Sequence, residues 1–384
     1  MSPLPVSLDQ ALAFRLERQH LTRPAANPEA AAAALFGAQA QVQSAALLQL
    51  RARTDGVTDH ALRDALLTER SLVKLWAQRS TLHLIPTRDL GLLLAMRRLA
   101  VRNYHNWYGK EGLQPDQIER LVAAIAEALA DGPHSRMDLS RRLSPVLGDW
   151  ARPWLEHSWG GAIKLACALG HVCHGPAMDD SGGERANGSR ANGNREAAFV
   201  RLDRWVGVPA VPDSRDGMKA VLRRYLAAFG PATIADFRKF TGLSGAPAPQ
   251  AFADLRPELI PVDLDGRPGW ALAADEGRLR AAEPAEGRIT VLPLFDPWLL
   301  AHADTAQTVA PSHRKAVYRT AGWISATILR QGRVIATWGH KRTAGGWSVD
   351  IRPLTRIFKK ELPPIEQALR HLSGGLPVTF RMME

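Results

Sequence analysis

Cysteine is almost missing from this chain, with two residues in 384. Two cysteines make at most one disulfide, so a bridge-held secreted scaffold is excluded and a reducing cytosol fits. Long apolar runs are missing too: the longest, such as Leu90 to Ala95, fall well below the ~20 residues that cross a bilayer. The opening MSPLPVSLDQALAF has no basic segment ahead of an apolar core. No signal peptide is therefore expected, no membrane partner, and the cytoplasm is the expected compartment. Neither a Walker nor a dinucleotide glycine pattern occurs, so no nucleotide cofactor is expected, and no other cofactor is read from the sequence.

What the chain has in excess is positive charge. It carries 49 Lys+Arg against 38 Asp+Glu, a formal net charge of +11, which points to a polyanionic partner, and nucleic acid is the commonest. An apolar fraction of 46% is that of an ordinary globular protein. The length suggests two to four compact units.

The same local plan recurs along the chain. Residues 8–19 and 28–36 read as helices, the second with Pro28 in its first turn behind Asn27, a good cap. Further helices are expected over 58–67 and 69–77, and "KLWAQRSTLHLIP" then changes to alternating spacing and closes a strand at Pro86. Helices followed by a short strand pair describe a winged helix. A second copy follows: the helix "PDQIERLVAAIAEALADG", a helix capped by Ser135, a third helix "WLEHSWGGAIKLACALG", and strands "HVCHG" and "AAFVRLDRWV". The polar, glycine-rich "DDSGGERANGSRANGN" between those strands reads as a mobile wing loop, 179–196. A third copy contains "GMKAVLRRYLAAFG", then "GPATIADFRKFTGLS" with Pro231 opening a helix and Gly242 closing it, a helix near 248–254, and strands around "LIPVDL" and "GWALA". From Arg288 the period changes to strands with turns at Gln331-Gly332 and Arg342 to Gly346, a helix over 363–372 and a last strand "PVTFRM". The expected fold class is α+β: tandem winged helices over 1–110, 111–212 and 213–287, then a β-rich part over 288–384.

One stretch does not suit its setting. "LFGAQAQVQSAALL" places Gln39, Gln41 and Gln43 at every second position among alanine, valine and leucine. Glutamine is neutral and expensive to bury unless its amide is hydrogen-bonded. In a regular helix, residues 39 and 41 point about 200° apart, whereas an extended segment puts them on one side. Gly37 just upstream permits such a break. Two readings are open: three glutamines decorating one alanine-rich helix, or a non-helical joint from Gly37 to Gln41.

Three features occurring in order carry a resemblance: "GAQAQ", "YLAAFGPATIADFRKFTGLS", and "VLPLFDPWLL" with "GRVIATW". Over nearly the whole chain the sequence resembles the AlkZ/YcaQ family of bacterial winged-helix DNA glycosylases, which build a C-shaped molecule. The resemblance implies that a Gln-Φ-Gln or Gln-Φ-Asp motif (Φ aliphatic) positions the water for glycosidic cleavage. Here the match is Gln39-Ala40-Gln41, the Gln-Φ-Gln branch, similar to enzymes that protect antibiotic producers from their own DNA-alkylating products. It favours the joint and leaves Gln43 as a capping or solvent-facing residue.

The chemistry agrees with neutral residues. A glutamine cannot protonate a leaving base, but a guanine alkylated at N7 is already cationic and leaves unaided. What remains is to hold a water and stabilise charge developing on the sugar, which amide dipoles do. The expected partner is double-stranded DNA containing alkylated purines, the expected enzyme a monofunctional DNA glycosylase acting as a monomer. The other reading is a non-catalytic winged-helix DNA-binding protein, a regulator or adduct-sequestering factor. A regulator would normally be a symmetric dimer.

Other candidates are Arg79, Ser80, Thr81 and His83 on the first wing, for which plain strand packing is the alternative to a DNA or lesion contact. His340, Lys341, Arg342 and Thr343 sit at a glycine-backed hairpin tip that suits a DNA groove. Asp296 in "LFDPW" reads as a turn cap before proline rather than a general base. Cys167, His171, Cys173 and His174 match no usual zinc spacing, so no metal is expected.

Overall fold

The computed structural model describes residues 2–157, 161–176, 197–284 and 286–383. The wing loop expected over 179–196 lies outside them. Helices and sheets are mixed in an α+β fold whose sheets join parts of the chain that are far apart in sequence.

In the N-terminal part, Ser7 and Gln10 form a capping box that starts the helix Leu8–Arg18. Asn27 caps Pro28–Ala34 through the Ala30 N–H. Phe36 and Gly37 then take positive φ (+52° and +111°), which ends the helix and turns the chain into the short strand Ala38–Gln39. A Cβ at Gly37 would sit 2.3 Å from Cδ1 of Ile85, so the glycine is needed for space as well as for its backbone angle. The helices Gln43–Arg51 and Asp59–Leu67 follow, then the strands Leu72–Trp76 and Leu82–Pro86 and the long helix Leu90–Lys110.

The helix expected over 69–77 is therefore wrong; most of it is the strand Leu72–Trp76. The reason is burial on both faces. Val73 and Leu75 enter the main core, while Leu72 enters a second cluster under the N-terminal helices. A strand covered on both sides loses its apolar-polar alternation, and its period cannot be told from a buried helix.

The helices Pro115–Ala128 and Arg136–Leu147 form as expected, the latter behind Ser135 and its reciprocal partner Asp138. The third helix expected in this part is instead two, Arg152–Leu155 and Gly161–Ala168. "AAFVRLDRWV" is likewise divided, into the strand Ala198–Arg201 and the short helix Leu202–Val206. Ser214–Phe229, Ile234–Thr241 and Pro247–Asp254 are the next helices. Pro231 does not open one: the helix starts at Ile234 because the capping box is Thr233 with Asp236. Gly242 does close it, in the left-handed conformation.

Three sheets organise these elements. Six strands run in the order Ala38–Gln39, Leu82–Pro86, Leu72–Trp76, Val172–His174, Ala198–Arg201, His134–Ser135, so the first and second parts share one sheet through the Lys74–His174 pair. The strand Leu4–Val6 pairs in parallel with Leu259–Leu264, whose other neighbour is Arg267–Leu272. A five-stranded sheet of Ile289–Leu292, Ala326–Arg330, Arg333–Thr343, Gly346–Pro353 and Val378–Met382 is covered by the helix Leu362–Leu372. Leu48, just after the glutamine segment, belongs to the core of this last sheet. The C-terminal part is thereby packed onto the element that carries the motif. No helix among the described residues is long and apolar enough to cross a membrane.

Candidate active site

The segment from Gly37 to Gln41 is an extended joint between two helices. Ala38 pairs with Leu84 and Gln39 with His83, and Ala40 N–H continues the ladder to Leu82 O at 2.6 Å. Alternation follows. Ala38 and Ala40 enter the apolar cluster shared with Leu84, leaving Gln39 for the opposite face with His83. Gln39 is buried there, 5% exposed, and Gln41 is exposed at the rim. Gln43 is the first residue of the next helix, exposed, and its Oε1 accepts from Lys74 Nζ at 2.9 Å. Lys74 pairs with Leu84, on the Ala38 side of the sheet, which keeps Gln43 away from the other two.

Gln39 is held at both ends. Its side-chain Oε1 accepts from Arg79 Nη2 at 2.7 Å, which fixes which way the amide points and leaves one lone pair of that oxygen. Its backbone carbonyl accepts from Nε2 of Gln49 at 3.0 Å. Gln49 is fully buried and donates also to Leu294 O at 3.1 Å, so the motif is tied to the strand end ahead of "FDP". Gln78 Nε2 anchors the turn upstream by donating to Phe36 O.

Arg79 and Ser80 lie in a left-handed turn, φ +54° and +58°. Arg79 joins the first part of the fold to the third, because its Nη1 donates to Phe240 O at 2.9 Å. Gly242 makes this approach possible: a Cβ there would lie 2.6 Å from Arg79 Cα. Ser80 turns the other way, its Oγ 2.8 Å from Tyr104 OH and accepting from Arg97 Nη2 at 3.3 Å. His83 donates from Nδ1 to Thr81 O at 2.9 Å, so its Nε2 lone pair faces Arg79 Nη2 at 3.5 Å. Burial first, then the Arg79 charge, lowers the His83 pKa to about 3, while burial lowers that of Arg79 to about 10. At neutral pH the site holds a charged guanidinium, a neutral imidazole and amides. Of the candidates read from the sequence, Gln39, Arg79 and His83 thus come together.

Two buried histidines, His83 and His302, and the half-buried His174 give an acid-stability prediction. His174, between Trp76 and Phe199, is also pushed to about 3 by burial and then by Lys74, and burial lowers His302 as well. The unfolded chain takes up these protons near pH 6.5; the folded chain resists to about pH 3. The stability contributed by these neutral histidines is present above pH 6.5 and lost progressively as pH falls toward about 3. Denaturant midpoints should drop steadily between pH 6.5 and 4; a flat profile there would refute neutral burial.

The hairpin candidates lie on another element. The ladder extends to Thr343 opposite Gly346, so the turn is Ala344-Gly345, and Thr343 Oγ1 donates to Gly346 O at 3.0 Å. Lys341 and Arg342 are exposed. His340 stacks on Trp347 with ring centres 3.9 Å apart.

Asp296 has no oxygen to spare for a base. It is fully buried, caps the Trp298 N–H at 3.0 Å and grips the equally buried Arg53 through two 2.8 Å bonds. Arg53 Nη1 in turn donates to Gln49 O at 3.1 Å. A line of contacts therefore runs from Asp296 through Arg53 and Gln49 to the Gln39 backbone. Sequence reading found neither Gln49 nor Arg53, since a glutamine and an arginine in a helical stretch carry no mark of total burial. Cys167 and Cys173 are free and buried, and among the described residues no group of three or more His, Cys, Asp or Glu could hold a metal.

Comparison with known proteins gives the family of the chain. The family model described as "DNA glycosylase AlkZ-like" matches residues 32–374. The interstrand DNA cross-link repair glycosylase of Streptomyces sahachiroi is 32% identical over 343 residues, covering 87% of this chain and 88% of that protein. The solved structure of the Streptomyces sahachiroi DNA glycosylase AlkZ superposes with a TM-score of 0.84 at 27% identity, covering 98% of this chain and all of that one. The match spans the glutamine joint, the Arg79 turn and the hairpin alike, and the chain belongs to the AlkZ-like family of DNA glycosylases.

Proposed function

We propose that this DNA glycosylase hydrolyses the N-glycosidic bond of N7-alkylated purines in double-stranded DNA, bulky adducts and interstrand crosslinks included, with Gln39 and Gln41 handling the water. The observation that carries this is the chemistry around Gln39: among the described residues its side-chain partner is Arg79, and no carboxylate hydrogen-bonds to Gln39, Arg79 or His83. A site without an acid serves a base that leaves without protonation. N7 alkylation puts a positive charge on the base, and cleavage moves that charge to the sugar. Amide carbonyls aimed at the sugar stabilise it there and accept hydrogen bonds from the water, which adds to the cationic sugar and then gives its proton to solvent. The cross-link repair activity named for the Streptomyces sahachiroi relative supports the bulky end of this range.

Three helix-rich parts, each closed by a strand pair, support tandem winged helices clamping DNA as a C-shaped monomer in the cytoplasm. The Gln-Φ-Gln motif supports self-resistance to a DNA-alkylating natural product as the setting. Lys341 and Arg342 on their stiff, two-residue-turn hairpin would enter a groove beside the lesion, His340 being held back by stacking on Trp347. Replacing both cations by alanine should lower lesion affinity and excision without moving the melting temperature. Full activity on small and bulky adducts alike would remove the hairpin from the interface.

The direct test incubates the purified protein with duplexes bearing one N7-methylguanine, one bulky N7-guanine adduct, or one uracil. Heat-labile abasic sites are expected in the first two. Comparable release of uracil, a neutral base, would overturn the reading.

A further inference from the structure

We propose that Arg79, Lys239 and Arg314 form a binding site for one DNA backbone phosphodiester, the one flanking the lesion nucleotide on the damaged strand. The three cations come from the first strand pair, from the helix Ile234–Thr241 and from the short helix Arg314–Val317. Only packing unites them. Arg79 donates to the carbonyl of Phe240, the residue after Lys239, and its backbone lies directly over Gly242. Lys239 Nζ and Arg314 Cζ lie 5.9 and 5.2 Å from the centre of one ring, that of Tyr318. Tyr318 is itself fixed by its hydroxyl, which donates to Leu299 O at 2.8 Å.

Charge balance says what is missing. Burial, then Arg79, then Arg314 all push the Lys239 ammonium toward its neutral form, the mark of like charges held together. Several other enclosed arginines are answered by carboxylates, Arg53 by Asp296, Arg224 by Asp89 and Arg330 by Glu361, while the buried Arg15 is met by Gln307 and two backbone carbonyls. Among the described residues no ion pair answers Arg79, Lys239 or Arg314. The acid that reaches Lys239 is Asp236, and its oxygens already accept from Thr233 N–H, Thr233 Oγ1 and Ala303 N–H. A phosphodiester carries one negative charge on two free oxygens, which suits the Arg314 guanidinium fork with the Lys239 ammonium beside it, while Arg79, its terminal nitrogens held by Phe240 O and Gln39 Oε1, adds its charge. DNA, which a DNA glycosylase must hold, supplies that group. The same Arg79 guanidinium holds Gln39, so the phosphate belongs next to the nucleotide that Gln39 serves. The proposal rests on the glutamine reading for that register alone.

The experiment uses uncleavable duplexes with a tetrahydrofuran abasic analogue and one neutral methylphosphonate stepped along the damaged strand on either side. Wild type, Lys239→Gln, Arg314→Gln, their double and Lys239→Arg are titrated over a salt series. In wild type a methylphosphonate beside the analogue should weaken binding about 10-fold, the worth of one charge-assisted contact. In the double variant the dissociation constant should already be raised and the same methylphosphonate should add nothing. The slope of log K against log salt should fall by about 0.9, and Lys239→Arg should bind as wild type. Full additivity of the two losses at every position, or an unchanged salt slope, would overturn the site. Coupling only at a phosphate several nucleotides away would overturn its register. Single-turnover excision by Gln39→Ala tests the glutamine reading separately, and its failure would leave the methylphosphonate coupling as it is.

Discussion

Gln39→Ala is expected to slow single-turnover excision of an N7-alkylguanine duplex about 10²-fold, the lower end of what removing one preorganised polar contact costs. The lower end applies because the bond is already weakened by the charge on the base. Gln41→Ala should slow it no more than this, since Gln41 is exposed until DNA covers it, whereas Gln39 is buried and oriented by Arg79. The double variant should lose less than the product of the two, because both amides act on one water. Gln43→Ala should be nearly silent: its amide lies with Lys74 on the other side of the sheet. A damaging Gln43→Ala would place the motif one step further along. Normal rates in all of these variants would dismiss the glutamines as catalytic groups.

The second large effect is on stability. Asp296→Ala should cost about 3–5 kcal/mol of unfolding free energy, because it leaves a charged Arg53 in a site with no water to answer it. Asp296→Asn keeps the shape and removes the charge, and should also destabilise. Denaturant titration measures both, and a loss under about 1 kcal/mol would mean that Arg53 finds another partner. Excision should fall as well, even at temperatures where the variants stay folded. Arg53 holds the Gln49 carbonyl, and Gln49 holds the Gln39 backbone, so a loosened Arg53 frees the motif from behind.

Much of this protein was legible from local sequence. Caps and breakers act within a few residues, so Asn27, Ser135 and Gly242 marked their helix ends correctly. Gly37 permitted the extended joint, since positive φ is a property of one residue and its neighbours, while the family resemblance favoured the joint over a continuous helix. The period of two in this part was readable because a strand such as Gly346–Pro353 alternates buried residues with less buried ones from Trp347 to Arg352. Leu72–Trp76 failed that test because both its faces are covered, and burial on two sides erases the pattern that names a strand. The site divides along the same line. The sequence alone determined which glutamines would share a face once the joint was extended. Only the tertiary structure decided that Arg79 would orient Gln39, that Gln49, Arg53 and Asp296 would brace it, and that Lys239 and Arg314 would stand beside it. Apart from the short steps from Gln39 to Gln49 and on to Arg53, those contacts join distant residues, Gln39 and Arg79 being 40 apart and Arg53 and Asp296 243 apart. Contacts of that range leave no period, cap or turn signal in the chain.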